Sequence, residues 1–256
     1  MHELCVKYLK DAGIDFGQRG HPFSDLYLDL KTLNEPFPLK SFENITMQLV
    51  IALEEIRKFN NLHHSEYIKK LSAKDTSFWG VKYEIQWYYI LIKKFKEKRI
   101  TAIRRGISGL EPDFIINYHR NDIGIETTCL TYDLNSSMSD PISKIKQAIF
   151  KKGEKQYASE SCCLIIDISN LIFYRKIYSN FSITISELTD LINSNFGAVL
   201  LFQSVHIKGD NGDPRYVNQF YNWINPKISH SLEVFIKDVF DGPKEDFSEK
   251  LRFPVG

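Results

Sequence analysis

Glu111-Pro112-Asp113-Phe114-Ile115-Ile116-Asn117-Tyr118-His119-Arg120-Asn121-Asp122-Ile123-Gly124-Ile125-Glu126-Thr127-Thr128 is the stretch on which the fold of this 256-residue chain turns. It reads as two short strands joined by a polar turn. Phe114, Ile115, Ile116 and Tyr118 suit the first strand; Ile123, Ile125 and Thr127 suit the second. Each strand carries one acid among apolar neighbours, Asp113 at the mouth of the first and Glu126 within the second. An acid in mid-strand is unfavourable unless it is solvated, paired or bound to a cation. Two of them brought together across a hairpin form an oxygen-rich site suited to a hard divalent metal. A turn at His119-Arg120 sets the acids directly opposite, whereas a turn at Asn121-Asp122 shifts the register.

Upstream, Thr76–Lys98 has the pattern of a largely buried helix, with Thr76 or Ser77 as N-cap. Its stripe runs Val81, Tyr88, Leu91 and Phe95, and Glu84 falls on it. Alone, such a glutamate reads as a structural partner of a lysine or a backbone group. Ile100–Arg105 follows as a strand, then a turn over Gly106–Pro112. Downstream, a loop through Asn135–Asp140 leads into a helix from Pro141 to about Ala158, with Asp140 as N-cap and proline at the first helical position. Its apolar line is Ile142, Ile145 and Ile149, continued by Lys152 and Gln156. Strands at Cys162–Ile168 and Ala198–Val205 flank a helix at Ile185–Asn193, and a last helix lies near Leu232–Phe240. Three strands on short turns make an antiparallel meander, and the helical crossover implies a parallel pair. The fold class is α/β, a mixed central sheet flanked by helices. Residues 76–205 form its core, 206–256 a C-terminal extension packed on it, and 1–75 a helical N-terminal extension containing a helix at Ile45–Phe59, a shorter one at Ser65–Leu71 and a glycine- and proline-rich loop before them.

Composition narrows the partners. Lys and Arg number 33 against 32 Asp and Glu, so no global field advertises nucleic acid and attraction to phosphate must be local. The basic run from Lys93 to Arg99, with Arg104 and Arg105, can hold a phosphate backbone or simply be the wet, cation-favouring end of a helix. The four cysteines lack Cys-x-x-Cys spacing and read as buried reduced thiols. No charged leader followed by an apolar block opens the chain, and no apolar run is long enough for a membrane span, so a cytoplasmic location is expected. His63-His64 reads as a surface pair and Asp210–Asp213 as a turn.

In order and in letters, residues 76–205 resemble the PD-(D/E)xK, or restriction-endonuclease-like, nuclease superfamily, with its αβββαβ core. Glu84 matches the glutamate of the family's core helix, Pro112-Asp113 its Pro-Asp, and Glu126-Thr127-Thr128 its acid-x-Lys. Thr128 stands where lysine is expected. In some members that lysine has moved to the following helix, which points to Lys152, with Lys155 as the alternative; Lys152–Tyr157 also resembles a Gln- and Tyr-bearing helix of such nucleases. The resemblance implies Asp113, Glu126 and Glu84 as ligands of Mg²⁺ or Mn²⁺, with Lys152 and Thr128 beside the attacking water. Arg104, Arg105, Lys155 and Gln156 become nucleic-acid contacts. The implied activity is phosphodiester hydrolysis, on DNA rather than RNA, with restriction or phage defence as its setting and the flanking segments selecting substrate or building a homodimer. The rival reading is a non-catalytic module that keeps the fold and binds nucleic acid, a nucleotide or a protein. Glu84 paired elsewhere would favour the rival.

Overall fold

The computed structural model describes residues 3–32, 36–75, 77–97, 99–130, 141–169, 194–208 and 214–240. The expected helix at Ile185–Asn193, the Asn135–Asp140 loop with its Asp140 cap, Thr76 and the Asp210–Asp213 turn lie outside them. The described residues form an α/β protein with seven helices and a six-stranded mixed sheet. They fall into two compact units. One holds the helices before Lys94 and the described residues of 205–217; the other holds the described residues of 94–204 and of 218–240.

The helical unit carries α1 (Glu3–Asp11), α2 (Pro22–Thr32), α3 (Pro36–Phe59), α4 (Asn61–Leu71) and α5 (Ser77–Lys96) up to Lys93. The loop expected across Gly13–Pro38 is corrected: it contains α2 and the first turns of α3. Proline is tolerated at a helix start because its missing N–H would have no intrahelical acceptor there. α2 is capped by an unusual residue. The Nδ1 of buried His21 accepts the amide of Phe23 (3.2 Å) while its Nε2 meets the carbonyl of Leu71 at 2.9 Å. Burial holds this imidazole below its ordinary pKa, which suits the neutral form the cap requires. Leu49, Leu53 and Ile56 line α3 as expected, each fully buried. α4 starts earlier than Ser65 because Asn60 caps it, accepting the amides of Leu62 and His63. His63 and His64 are half-buried rather than surface residues, bonded to Tyr88 and Tyr8 respectively, each at 2.6 Å.

The sheet has the order β1 (Ala102–Arg105), β2 (Phe114–Tyr118), β3 (Asn121–Cys129), β4 (Cys162–Asp167), β5 (Ala198–Lys208), β6 (Pro214–Ile224). β1, β2 and β3 are antiparallel neighbours; β4 is parallel to β3 and β5 to β4. The parallel step from β3 to β4 spans α6 (Pro141–Gly153), and α7 (His230–Phe240) follows the sheet. The tight turn falls at His119 and Arg120, both at positive φ (48° and 66°), the backbone that matches strand twist in a two-residue hairpin. This is the register that sets the two acids across from one another: Phe114 faces Ile125, so Asp113 comes next to Glu126.

Alternation then sorts the faces. Gly124, Glu126 and Thr128 share the side of Cys162, Leu164 and Ile166, their β4 partners. On that side Ile145 and Ile149 of α6 join Leu164, Ile166, Val199 and Leu201 in one buried core. Phe114, Ile116, Ile123 and Ile125 take the opposite side, and Tyr118 there meets Phe235 of α7 edge-on at 5.5 Å. α6 stops at Gly153 instead of reaching Ala158, because the chain tightens there: the Lys155 amide reaches only back to the Lys152 carbonyl, 3.1 Å away. The aromatic stretch Tyr216–Trp223 is strand β6. Its aromatic and amide residues mix on both alternations, so no clean period of two marks it.

Candidate active site

The site is built on β3 and closed by α6. Glu126 is 2% exposed, and a carboxylate this deep requires partners. Lys152, in the last turn of α6, donates from Nζ to Oε1. The Tyr157 hydroxyl, in the turn after α6, lies close enough to the same carboxylate to feel its charge. The amide of Asp113 donates to Oε2 at 3.2 Å. The helical line Ile142, Ile145, Ile149 brings Lys152 inward one turn later, which is why a lysine rather than another apolar residue meets the acid.

Asp113 is held differently. The β2–β3 ladder stops at Phe114–Ile125, and the next inward amide, that of Thr127, donates to Oδ2 of Asp113 at 2.8 Å. The Thr127 hydroxyl donates to the same oxygen at 2.7 Å. Oδ1 of Asp113 has no hydrogen-bond partner among the described residues. The loop before Asp113 is organised too: Arg104 grips Glu111 through two hydrogen bonds (2.8 and 2.7 Å), Glu111 accepts the Ile107 amide, and the Gly106 amide donates to the Asp113 carbonyl. The Arg104 guanidinium, helped by the Ile107 amide, pulls the Glu111 pKa down to about 2.

Burial raises the pKa of Glu126 and the neighbouring Asp113 charge adds to it, while Lys152 and Tyr157 work against both. The Tyr157 hydroxyl is pushed up by burial and by the Glu126 charge, so it stays protonated. Cys162, on the same face, is driven far above the ordinary thiol range by burial first, then by Cys163 and the two acids; it is a neutral packing residue and no nucleophile. The arrangement is two adjacent carboxyl groups, that of Glu126 deeply buried, with the Lys152 ammonium reaching in from the edge of solvent.

Comparison with known protein families, curated proteins and solved structures finds no match to this chain. The site therefore rests on its own geometry.

Asp113, Glu126 and Lys152 are brought together. Thr128 lies on the Glu126 face, half-buried. Lys155 and Gln156 are exposed in the turn beyond α6, off the helical line assigned to Gln156 because the helix has already ended. Arg104 is exposed but engaged by Glu111, and Arg105 is half-buried in β1. Glu84 belongs to the helical unit, where it accepts the Tyr67 hydroxyl at 2.7 Å and has Lys70 Nζ at 3.9 Å. Among the described residues no three His, Cys, Asp or Glu side chains gather as a ready metal cage. The donors that do meet are hard oxygens of two carboxylates, the right kind for Mg²⁺ or Mn²⁺, which keep several waters and need few protein ligands. Thr127 was not foreseen as a site residue. Its signal was available: a hydroxyl continuing the buried face of Ile123 and Ile125.

Proposed function

We propose that this protein is a metal-dependent nuclease of restriction-endonuclease-like architecture that hydrolyses phosphodiester bonds in DNA, with Asp113, Glu126 and Lys152 as its working residues. One observation carries the reading: the lysine one helix beyond the expected motif reaches the buried strand glutamate, with the Pro-Asp acid directly beside it. The element order α5, β1, β2, β3, α6, β4 supports it.

Asp113 and Glu126 would hold the cation, which when bound lowers the pKa of a water and offsets phosphate charge. Lys152, displaced from Glu126 by that cation, would turn its ammonium to the phosphate or the attacking water. Thr128 would offer a hydroxyl on the same face. The Asp113 amide would keep Glu126 in place as Lys152 leaves. Exposed Lys155 and Gln156, with Arg104 and Arg105, would meet the nucleic-acid backbone. A role in restriction or phage defence, and a homodimer, rest on resemblance alone.

Incubation with linear and circular DNA in Mg²⁺ or Mn²⁺, wild type against Glu126→Gln and Asp113→Asn, tests this. Metal-dependent cutting that falls by on the order of 10³-fold or more in both variants supports it. The engagement of Glu84 by Tyr67 and Lys70 favours the rival reading, a binding module with a structural Glu126–Lys152 pair. Metal-indifferent DNA binding without cutting would establish that rival.

A further inference from the structure

Thr127 is buried, at 7% exposure, on a face otherwise made of Ile123 and Ile125. A valine would pack there as well, and a buried hydroxyl requires a hydrogen bond to be worth its desolvation. That bond goes to Oδ2 of Asp113, which already accepts the backbone amide of the same residue. Two donors, one fixed in the strand and one on a β-branched side chain with a restricted χ1, therefore meet one carboxylate oxygen. They fix the rotation of the carboxyl group and commit Oδ2 to the protein, while Oδ1 is left to outside ligands.

We infer that Thr127 is a positioning residue that orients Asp113 for a divalent cation; this rests on the proposed cation site at Asp113 and Glu126. Thr127 touches neither cation nor substrate. It selects which oxygen of Asp113 is presented, and at what angle to Glu126 across the strand pair. Outer-shell hydrogen bonds of this kind commonly tune metal affinity by about 10-fold or more.

The test is calorimetric titration of the full chain with Mn²⁺ in the absence of nucleic acid, using wild type, Thr127→Val, Thr127→Ser and Asp113→Asn, with thermal unfolding of each apo protein alongside. The expected result is Mn²⁺ binding weakened about 10-fold in Thr127→Val and restored to within a few-fold by Thr127→Ser. Apo stability should not track that order, since serine loses the packed methyl while valine keeps it. Equal Mn²⁺ affinity in wild type and Thr127→Val, with Asp113→Asn weakened, would overturn the positioning role and leave the cation site standing. Loss of affinity in Thr127→Ser as large as in valine would also overturn it, because methyl packing would then be the cause. No Mn²⁺ binding by wild type would remove both the inference and the reading beneath it.

Discussion

Replacing Lys152 with methionine keeps the aliphatic stem and removes the cation bonded to Glu126. The side chain of Glu126 is 3% exposed and that of Lys152 31%. Truncating one partner of a fully buried pair costs about 3–5 kcal/mol, because the remaining charge stays buried. Lys152 is about one-third exposed, so water screens part of the interaction and a cost of about 1–3 kcal/mol is expected near neutral pH. The sign with pH follows from the raised pKa of Glu126. A carboxyl raised in the folded state contributes stability that is full below its unfolded value of 4.5 and is lost as pH rises through the folded value. Without Lys152 the Asp113 amide is the hydrogen bond left to Glu126 among the described residues, so the folded pKa climbs further and the loss at neutral pH deepens. Urea unfolding of both proteins at about pH 5 and about pH 8 reads this directly: the gap between them should be small in acid and widen with pH. The double variant Glu126→Gln/Lys152→Met should regain much of the difference, having no buried charge. A pH-independent gap, or a double variant no better than the single one, would refute the buried-pair argument. Mn²⁺ should also stabilise Lys152→Met more than wild type, since it no longer competes with an internal ammonium for Glu126.

Gly124→Ala places a methyl 2.8 Å from the Cys162 sulfur and 2.9 Å from the Pro112 ring, so it should cost about 1–3 kcal/mol in chemical denaturation and disturb the approach of Asp113. Glu111→Gln removes the negative charge and one of the two acceptor oxygens that hold Arg104 and the Ile107 amide; faster amide exchange over residues 106–111 is the expected result, and unchanged exchange would assign the loop's order to its backbone turns. Glu84→Gln should weaken the Tyr67 bond at a cost of about 1 kcal/mol yet leave any metal-dependent cleavage within about threefold of wild type. Cleavage abolished with stability intact would bring Glu84 into the site.

Much of this was readable without coordinates. Apolar runs bounded by turns gave β2 and β4, the alternation of Ile123, Ile125 and Thr127 gave β3, and a helical line continued by Lys152 gave α6. These are local regularities, each encoded within a dozen consecutive residues. α2 escaped because its cap is a histidine and its neighbourhood is rich in glycine and proline, which propensity rules assign to loops. β6 escaped because its alternation is blurred by amides among aromatics. In both cases the deciding partners are remote: the Leu71 carbonyl that fixes the His21 tautomer, and the neighbouring strand that completes a ladder.

For the site, the sequence by itself determined that Asp113 and Glu126 sit on adjacent strands and that Lys152 lies on the inward line of the next helix, because strand and helix periods are fixed by backbone geometry. It left the hairpin register open between two turns, and only the folded chain decided it, at His119-Arg120. The bond from Lys152 to Glu126 also had to wait for the fold, since it depends on the height at which α6 crosses the sheet. So did the two donors of Thr127 on Asp113, which exist because the ladder ends one pair early. Glu84 shows the limit most plainly. Its place on a buried stripe was legible from spacing, but a buried carboxylate takes whichever donor the packing brings within reach, and here that is Tyr67, from a helix that no pattern around Glu84 could name.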